Sequence, residues 1–169
     1  NGDRAGFSVS ITDDGNRIAT GAITNHSNGE DSGQVRVYDY DSNSNDWIKV
    51  GDDLNGINPG YELGRNVVLS AQGNILAIGS PDWGTDGYGK VSIFEDIDNT
   101  WIQAGNTIVG DNSNNLMGSG WYAQSLDISS DGKYIAAGSY DDKTYVLRNG
   151  FAERPSAIPY GPRSGTEQL

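Results

Sequence analysis

Cysteine is absent from this chain, histidine and methionine occur once each, and basic residues are outnumbered two to one by acidic ones. Without thiols there is no disulfide framework, no thiolate nucleophile and no zinc-ribbon spacing. A serine or cysteine triad would depend on His26 alone, and no Gly-x-Ser-x-Gly elbow accompanies it. The 11 Lys and Arg against 23 Asp and Glu give a formal charge of −12, which repels phosphate backbones and anionic lipid. Nucleic acid and membrane insertion are therefore not expected, and no apolar run of about 18 residues is present to cross a bilayer. Neither a Walker loop nor a dinucleotide fingerprint goes with the glycines, which punctuate turns instead.

Only 35% of the residues are hydrophobic, and 24 are glycine. Ile, Val and aromatic residues cluster in short runs without helical spacing, so the chain reads as all-β with many tight turns. It also repeats itself. The stretch from Gly6 to Ala22 returns from Gly64 to Ser80 and again from Ala123 to Ser139, with turn glycines at Gly15, Gly73 and Gly132. Each is followed six residues later by a second glycine, Gly21, Gly79 or Gly138. A period of this size with strand patterning predicts stacked four-stranded blades.

Each repeat carries strand candidates in a fixed order. The first has residues 7–12, 17–22, 33–38 and 47–51, and the second has 66–70, 75–80, 89–94 and 101–105. Asp14-Gly15 and Asp131-Gly132 predict type I′ hairpin turns, with Gln72-Gly73 the weaker copy. The second glycine marks a close backbone approach or a positive φ. Trp47 and Trp101, each four residues before a glycine, read as cover between successive repeats. The chain divides into blade 1 (1–59), blade 2 (60–116), an incomplete blade 3 (117–150) lacking the Trp strand, and a tail (151–169) with three prolines. That tail reads as a linker or as an extended arm docked on this domain or another chain, with Phe151, Arg154, Pro155, Pro159, Tyr160 and Arg163 as candidate partner contacts. About three blades cannot close a ring of the usual four to eight, so the repeats read as part of a larger propeller.

The repeats resemble the FG-GAP-type (integrin-type) β-propeller family. The resemblance rests on the segment from Leu69 to Pro81, the strand Gly89-Lys-Val-Ser-Ile-Phe94 and the strand Trp101-Ile-Gln-Ala-Gly105, and it covers most of the chain. It implies an extracellular or lumenal module for adhesion or protein interaction. It also implies calcium in an Asp-x-Asp-x-Asp-Gly loop, but Asp13-Asp14-Gly15 and its two counterparts are tight turns that cannot supply six to eight oxygens. No cofactor or metal is expected, with calcium kept as the alternative.

The loops between second and third strands are polar in every repeat, and rim loops of this kind often carry binding. Glu30 with Asp31, Asp82 with Asp86, and Asp141 with Asp142 lack EF-hand spacing and read as solvated turns. Trp83 and Tyr88, beside Asp82 and Asp86, are candidate ligand contacts able to stack on a sugar ring or anchor a protein. Asn25-His26-Ser27 matches an N-glycosylation acceptor. The reading that combines these features is a non-enzymatic interaction or structural module whose partners are other chains of a larger assembly. Its alternatives are a carbohydrate-binding or glycosidase-like propeller and a calcium-dependent adhesin.

Overall fold

The computed structural model describes residues 2–81, 88–110, 125–139, 143–148 and 156–159, the last four by backbone position only. Strands β1 (Ala5–Ile11), β2 (Arg17–Ala22), β3 (Gln34–Asp41) and β4 (Asp46–Lys49) form a sheet in that order, and β5 (Leu54–Asn55) also pairs with β3. The second sheet repeats the plan with β6 (Asn66–Leu69), β7 (Ile75–Ser80) and β8 (Lys90–Ile97), on which both β9 (Thr100–Gln103) and β10 (Ile108–Val109) pair. In the third, β11 (Leu126–Ile128), β12 (Tyr134–Gly138), β13 (Lys143–Arg148) and β14 (Ser156–Pro159) run in order. All strand pairs within the sheets are antiparallel, and these sheets are the three blades.

Blade 3 therefore has a fourth strand, although the sequence reading ended it at residue 150. Part of the tail supplies it: Lys143 pairs with Pro159 and Val146 with Ser156. Proline has no N–H to donate, so a strand ending in one is tolerated at a sheet edge, which is where β14 lies.

The turns after β1, β6 and β11 are alike and differ from the expected type I′. The Gly15 N–H donates to Thr12 O (3.0 Å), with the Gly73–Ser70 and Gly132–Ser129 bonds in the same place. Asp13 and Asp14 are then the central residues, and neither has positive φ; only the glycine after them does, at 73° in the first turn. This is a turn closed by one left-handed residue, and the strand then resumes. Its other fixture is a hydroxyl. Thr12 Oγ1 accepts from the Arg17 N–H (3.0 Å), Ser70 Oγ from Ile75 (3.1 Å) and Ser129 Oγ from Tyr134 (2.9 Å).

Strand alternation gives each blade two faces, and the blades stack face to face. The back face of blade 2, with Val67, Leu69, Leu76, Ile78 and Trp101, packs on the front face of blade 1, with Ala19, Val35 and Val37. The front face of blade 2, with Val68, Ile75, Ala77, Val91 and Ile93, packs on the back face of blade 3, with Leu126, Ile135, Ala137 and Tyr145. Inner strands β1, β6 and β11 lie side by side, stitched by Asp13 N–H to Ala71 O (3.2 Å) and Ala71 N–H to Ser130 O (3.1 Å). Close approach explains Gly21: a Cβ there would meet Ser8 Oγ at 2.6 Å and the carbonyl of Gly64.

Candidate functional site

Among the described residues, the back face of blade 1 has no neighbour. It carries the pattern that blade 2 buries, yet its residues lie open. Val9 is 69% exposed where the equivalent Val67 is 2%, and Ile11 is 60% exposed where Leu69 is 7%. Trp47 pairs with Tyr40 as Trp101 pairs with Asp96, so the two tryptophans are equivalent. Trp101 is 8% exposed and Trp47 37%. The expectation that both tryptophans cover a repeat junction is met for Trp101, while Trp47 stands open because, among the described residues, no blade lies behind blade 1. Ile48 and Ile102, which pair with Asp39 and Glu95 on the opposite, front faces of the outer strands, are both 51% exposed, so the two blades differ at their back faces and not there.

Val9, Ile11, Tyr40 and Trp47 make this face apolar, with the Tyr40 and Trp47 rings tilted at 58° and 5.5 Å apart. Charged groups border it: Asp53 accepts from Arg36 (2.9 Å) and Lys49 (2.7 Å). Burial raises the Asp53 pKa, but these two cations outweigh it and hold the group below its ordinary value. An apolar centre with a charged border is the anatomy of a protein-binding patch.

The covered junction shows what such a face meets. Arg17, on the front face of blade 1, makes a bidentate pair with Asp39 (2.6 and 2.8 Å) and reaches blade 2 at Asp96 Oδ2 (2.6 Å) and Gly73 O (3.0 Å). Its guanidinium also lies 5.8 Å from the Trp101 ring centre. The hydrogen bonds to Asp39, ahead of those to Asp96, raise its already high pKa despite burial, so it is permanently charged. A cleft of about 470 Å³ opens beside it, lined by Asp14, Asn16, Asp39, Tyr40 and Gln72 among others. Arg17 is a strut there and offers no unused fork to an anion, since Nε, Nη1 and Nη2 all donate to protein oxygens.

Of the residues nominated from sequence, Asp82, Trp83 and Asp86 lie outside the described residues, as do Phe151, Arg154, Pro155, Tyr160 and Arg163. Tyr88 is half-buried. Pro159 is placed as the end of β14. Asn25 is partly buried in its loop: its Nδ2 donates to Asp3 (3.0 Å), and its Oδ1 accepts from the Ser27 hydroxyl (2.6 Å). That loop is also a connector, because Glu30, Asp31 and Ser32 carbonyls accept from Gly60, Glu62 and Leu63 on the approach to blade 2. His26 and Asp31 stand 3.3 Å apart on its exposed tip. In the first hairpin, Asp14 accepts from the Thr12 hydroxyl (2.6 Å) and from Asn16, and these bonds lower its pKa. Among the described residues, no three His, Asp or Glu side chains gather as a metal cluster. The open face itself was not nominated; Phe7-x-Val9-x-Ile11 shows the alternation, but a letter pattern is silent on whether a neighbour exists.

No family model matches the sequence, and no curated protein does. Solved structures do match. The chain is similar to the periplasmic gluconolactonase PpgL of Pseudomonas aeruginosa, with a TM-score of 0.56 and 16% identity over 92% of this chain and 44% of that one. It is similar to KlAtg21 in its complex with the coiled coil of AgAtg16, with a TM-score of 0.61 and 15% identity over 88% and 41%. A 6-phosphogluconolactonase-like protein of Bacteroides uniformis gives 0.55 and 16% over 90% and 42%. The chain spans less than half the length of each. Identity this low speaks to fold alone, and these neighbours are propeller-type folds. With its three stacked blades of five, five and four strands, the chain is all-β and forms part of a β-propeller.

Proposed function

We propose that the chain is a non-enzymatic protein-interaction and structural module of a larger assembly, and that the back face of blade 1 is its contact surface. The observation that carries this reading is the exposure of Val9 and Ile11 at positions where blade 2 buries Val67 and Leu69. Leaving such side chains in water forgoes roughly 1.5–3 kcal/mol each, a standing drive toward association. The KlAtg21 neighbour, solved with a coiled-coil partner, is a propeller-type fold that engages protein. An extracellular or lumenal setting belongs to the same reading, supported by the Asn25-His26-Ser27 acceptor in a surface loop.

The test is sedimentation of the purified chain over a wide concentration range, beside a Val9→Asp, Ile11→Asp double variant. Association that the double variant abolishes, with circular dichroism and melting preserved, is the expected result. A mass that stays at 18.0 kDa throughout would sink the proposal.

A further inference from the structure

We infer that the cleft beside Arg17 is a binding site for a neutral, polyhydroxylated ligand, a mono- or disaccharide held across the junction of blades 1 and 2. All of it lies between these two blades, and it owes nothing to what covers the back face of blade 1.

Blade 1 supplies one wall from two neighbouring turns, Thr12, Asp14 and Asn16 after β1 and Ser42 after β3, with Arg17 and Asp39 beside them. The Tyr40 N–H donates to Asn16 O (2.8 Å) and holds these turns together. Blade 2 supplies Gln72. It is brought over the wall because its neighbour Gly73 seats on blade 1, where a Cβ would meet Thr12 Cγ2 at 2.7 Å and Arg17 Cδ at 2.8 Å. The volume of about 470 Å³ falls within the range of about 300–1,000 Å³ usual for small-molecule sites.

The state of each polar group sets the ligand. Arg17 donates through Nε, Nη1 and Nη2 to protein oxygens, so it is spent, and the charge of −12 repels anions further. Asp39 accepts from Arg17 at both oxygens, and Asp14 accepts from Thr12 at one and from Asn16 at both. Both carboxylates thus meet their strongest donors inside the protein, which weakens their claim on a free cation. Three neutral groups are left over. The Gln72 amide, the Ser42 hydroxyl and Asn16 Oδ1 make no hydrogen bond among the described residues. Together they offer donors and acceptors in comparable number. Sugar hydroxyls, each donor and acceptor at once, use both kinds; an ammonium would leave the donors idle, and a phosphate the acceptors.

The junction of blades 2 and 3 is closed at the same positions. Asp131, in the place of Gln72, accepts from Lys133 and Ser129, and Asn74 Oδ1, in the place of Asn16 Oδ1, accepts from the Ser70 hydroxyl (3.0 Å). Ile75 stands where blade 1 has Arg17. One junction satisfies its own turn groups, and the other leaves them for a ligand.

The test is an NMR titration of the whole chain with glucose, galactose, mannose and N-acetylglucosamine, beside inorganic phosphate and spermidine. At least one sugar is expected to shift the Gln72 side-chain amide and the Ser42 N–H along one saturable curve, while phosphate and spermidine leave both in place. Gln72→Ala and Ser42→Ala should each weaken that binding about two- to tenfold, the worth of one hydrogen bond. Both side chains are exposed, so neither substitution threatens the fold. Saturation by phosphate or spermidine alone would overturn the inference, as would sugar shifts that fall at Trp83 and spare Gln72. Silence from every probe would overturn it too, and would leave the contact surface on blade 1 untouched.

Discussion

Blades 1 and 2 share an inner-strand pattern, Val9-x-Ile11 in one and Val67-x-Leu69 in the other, with the same turn glycine and the same tryptophan position. In one blade the pattern is core, and in the other it is surface. The difference is not local. Register, turn and pairing are alike, so the strand forms either way; only the presence of a neighbouring blade converts alternation into burial. Repeat proteins divide their stability in this manner, between the intrinsic unit and its interface. The structure separates the two contributions, because the back face of blade 1 is open among the described residues while its unit is intact.

The largest test of that separation compares Leu69→Ala with Ile11→Ala by urea unfolding in dilute solution. Leu69 is enclosed between blades, so its truncation should lower stability by about 2–5 kcal/mol. Ile11 makes the equivalent move at an open surface, where substitution should change stability by less than about 0.5 kcal/mol. Equal losses at the two sites would break the comparison and would mean that the back face of blade 1 is covered in solution.

A smaller test uses the turn glycines. Gly15 and Gly73 have φ values of 73° and 75°, so alanine at either should cost about 1–2 kcal/mol from the left-handed backbone alone. Gly73 also faces Thr12 and Arg17 of blade 1, whereas Gly15 faces open space. Gly73→Ala should therefore exceed Gly15→Ala by roughly 1 kcal/mol in thermal or urea unfolding. Identical values would mean that the inner turn of blade 2 does not seat on blade 1 as described.

Much of this was legible in the sequence, and what was not follows a physical division. Repeats at Gly15, Gly73 and Gly132 carry the blade plan because a hairpin is specified by residues near one another. The turn type was readable too, from Thr12, Ser70 and Ser129 three residues before each glycine; weighing Asp-Gly alone pointed to type I′ instead. The strand in the tail was obscured by its prolines, which exclude a central strand but permit the edge that β14 occupies. The Arg17–Asp96 strut and the bareness of Trp47 had no local signal at all. Arg17 and Asp96 are brought together only by stacking, and Trp47 has the same letter as its buried counterpart.

The smallest effect concerns charge in the turns. Asp131 accepts from the Lys133 ammonium (2.9 Å), from the Lys133 N–H (3.1 Å) and from the Ser129 hydroxyl (2.8 Å). These bonds, the Lys133 ammonium first, depress its pKa from the usual 3.8 to about 2. The folded form thus holds the proton more weakly than the unfolded chain. The stabilising contribution is complete above pH 3.8 and fades as the pH falls toward 2. A carbon-detected NMR titration should place the Asp131 midpoint near 2, and Lys133→Met should move it up toward 3.8. Blade 2 has Gln72 at this position and no carboxyl to protonate, so its turn should keep its shifts over the same range. Equal acid response in all three turns would show that the depressed carboxylate is not what holds the outer two, and that the shared hydroxyl and glycine suffice in each.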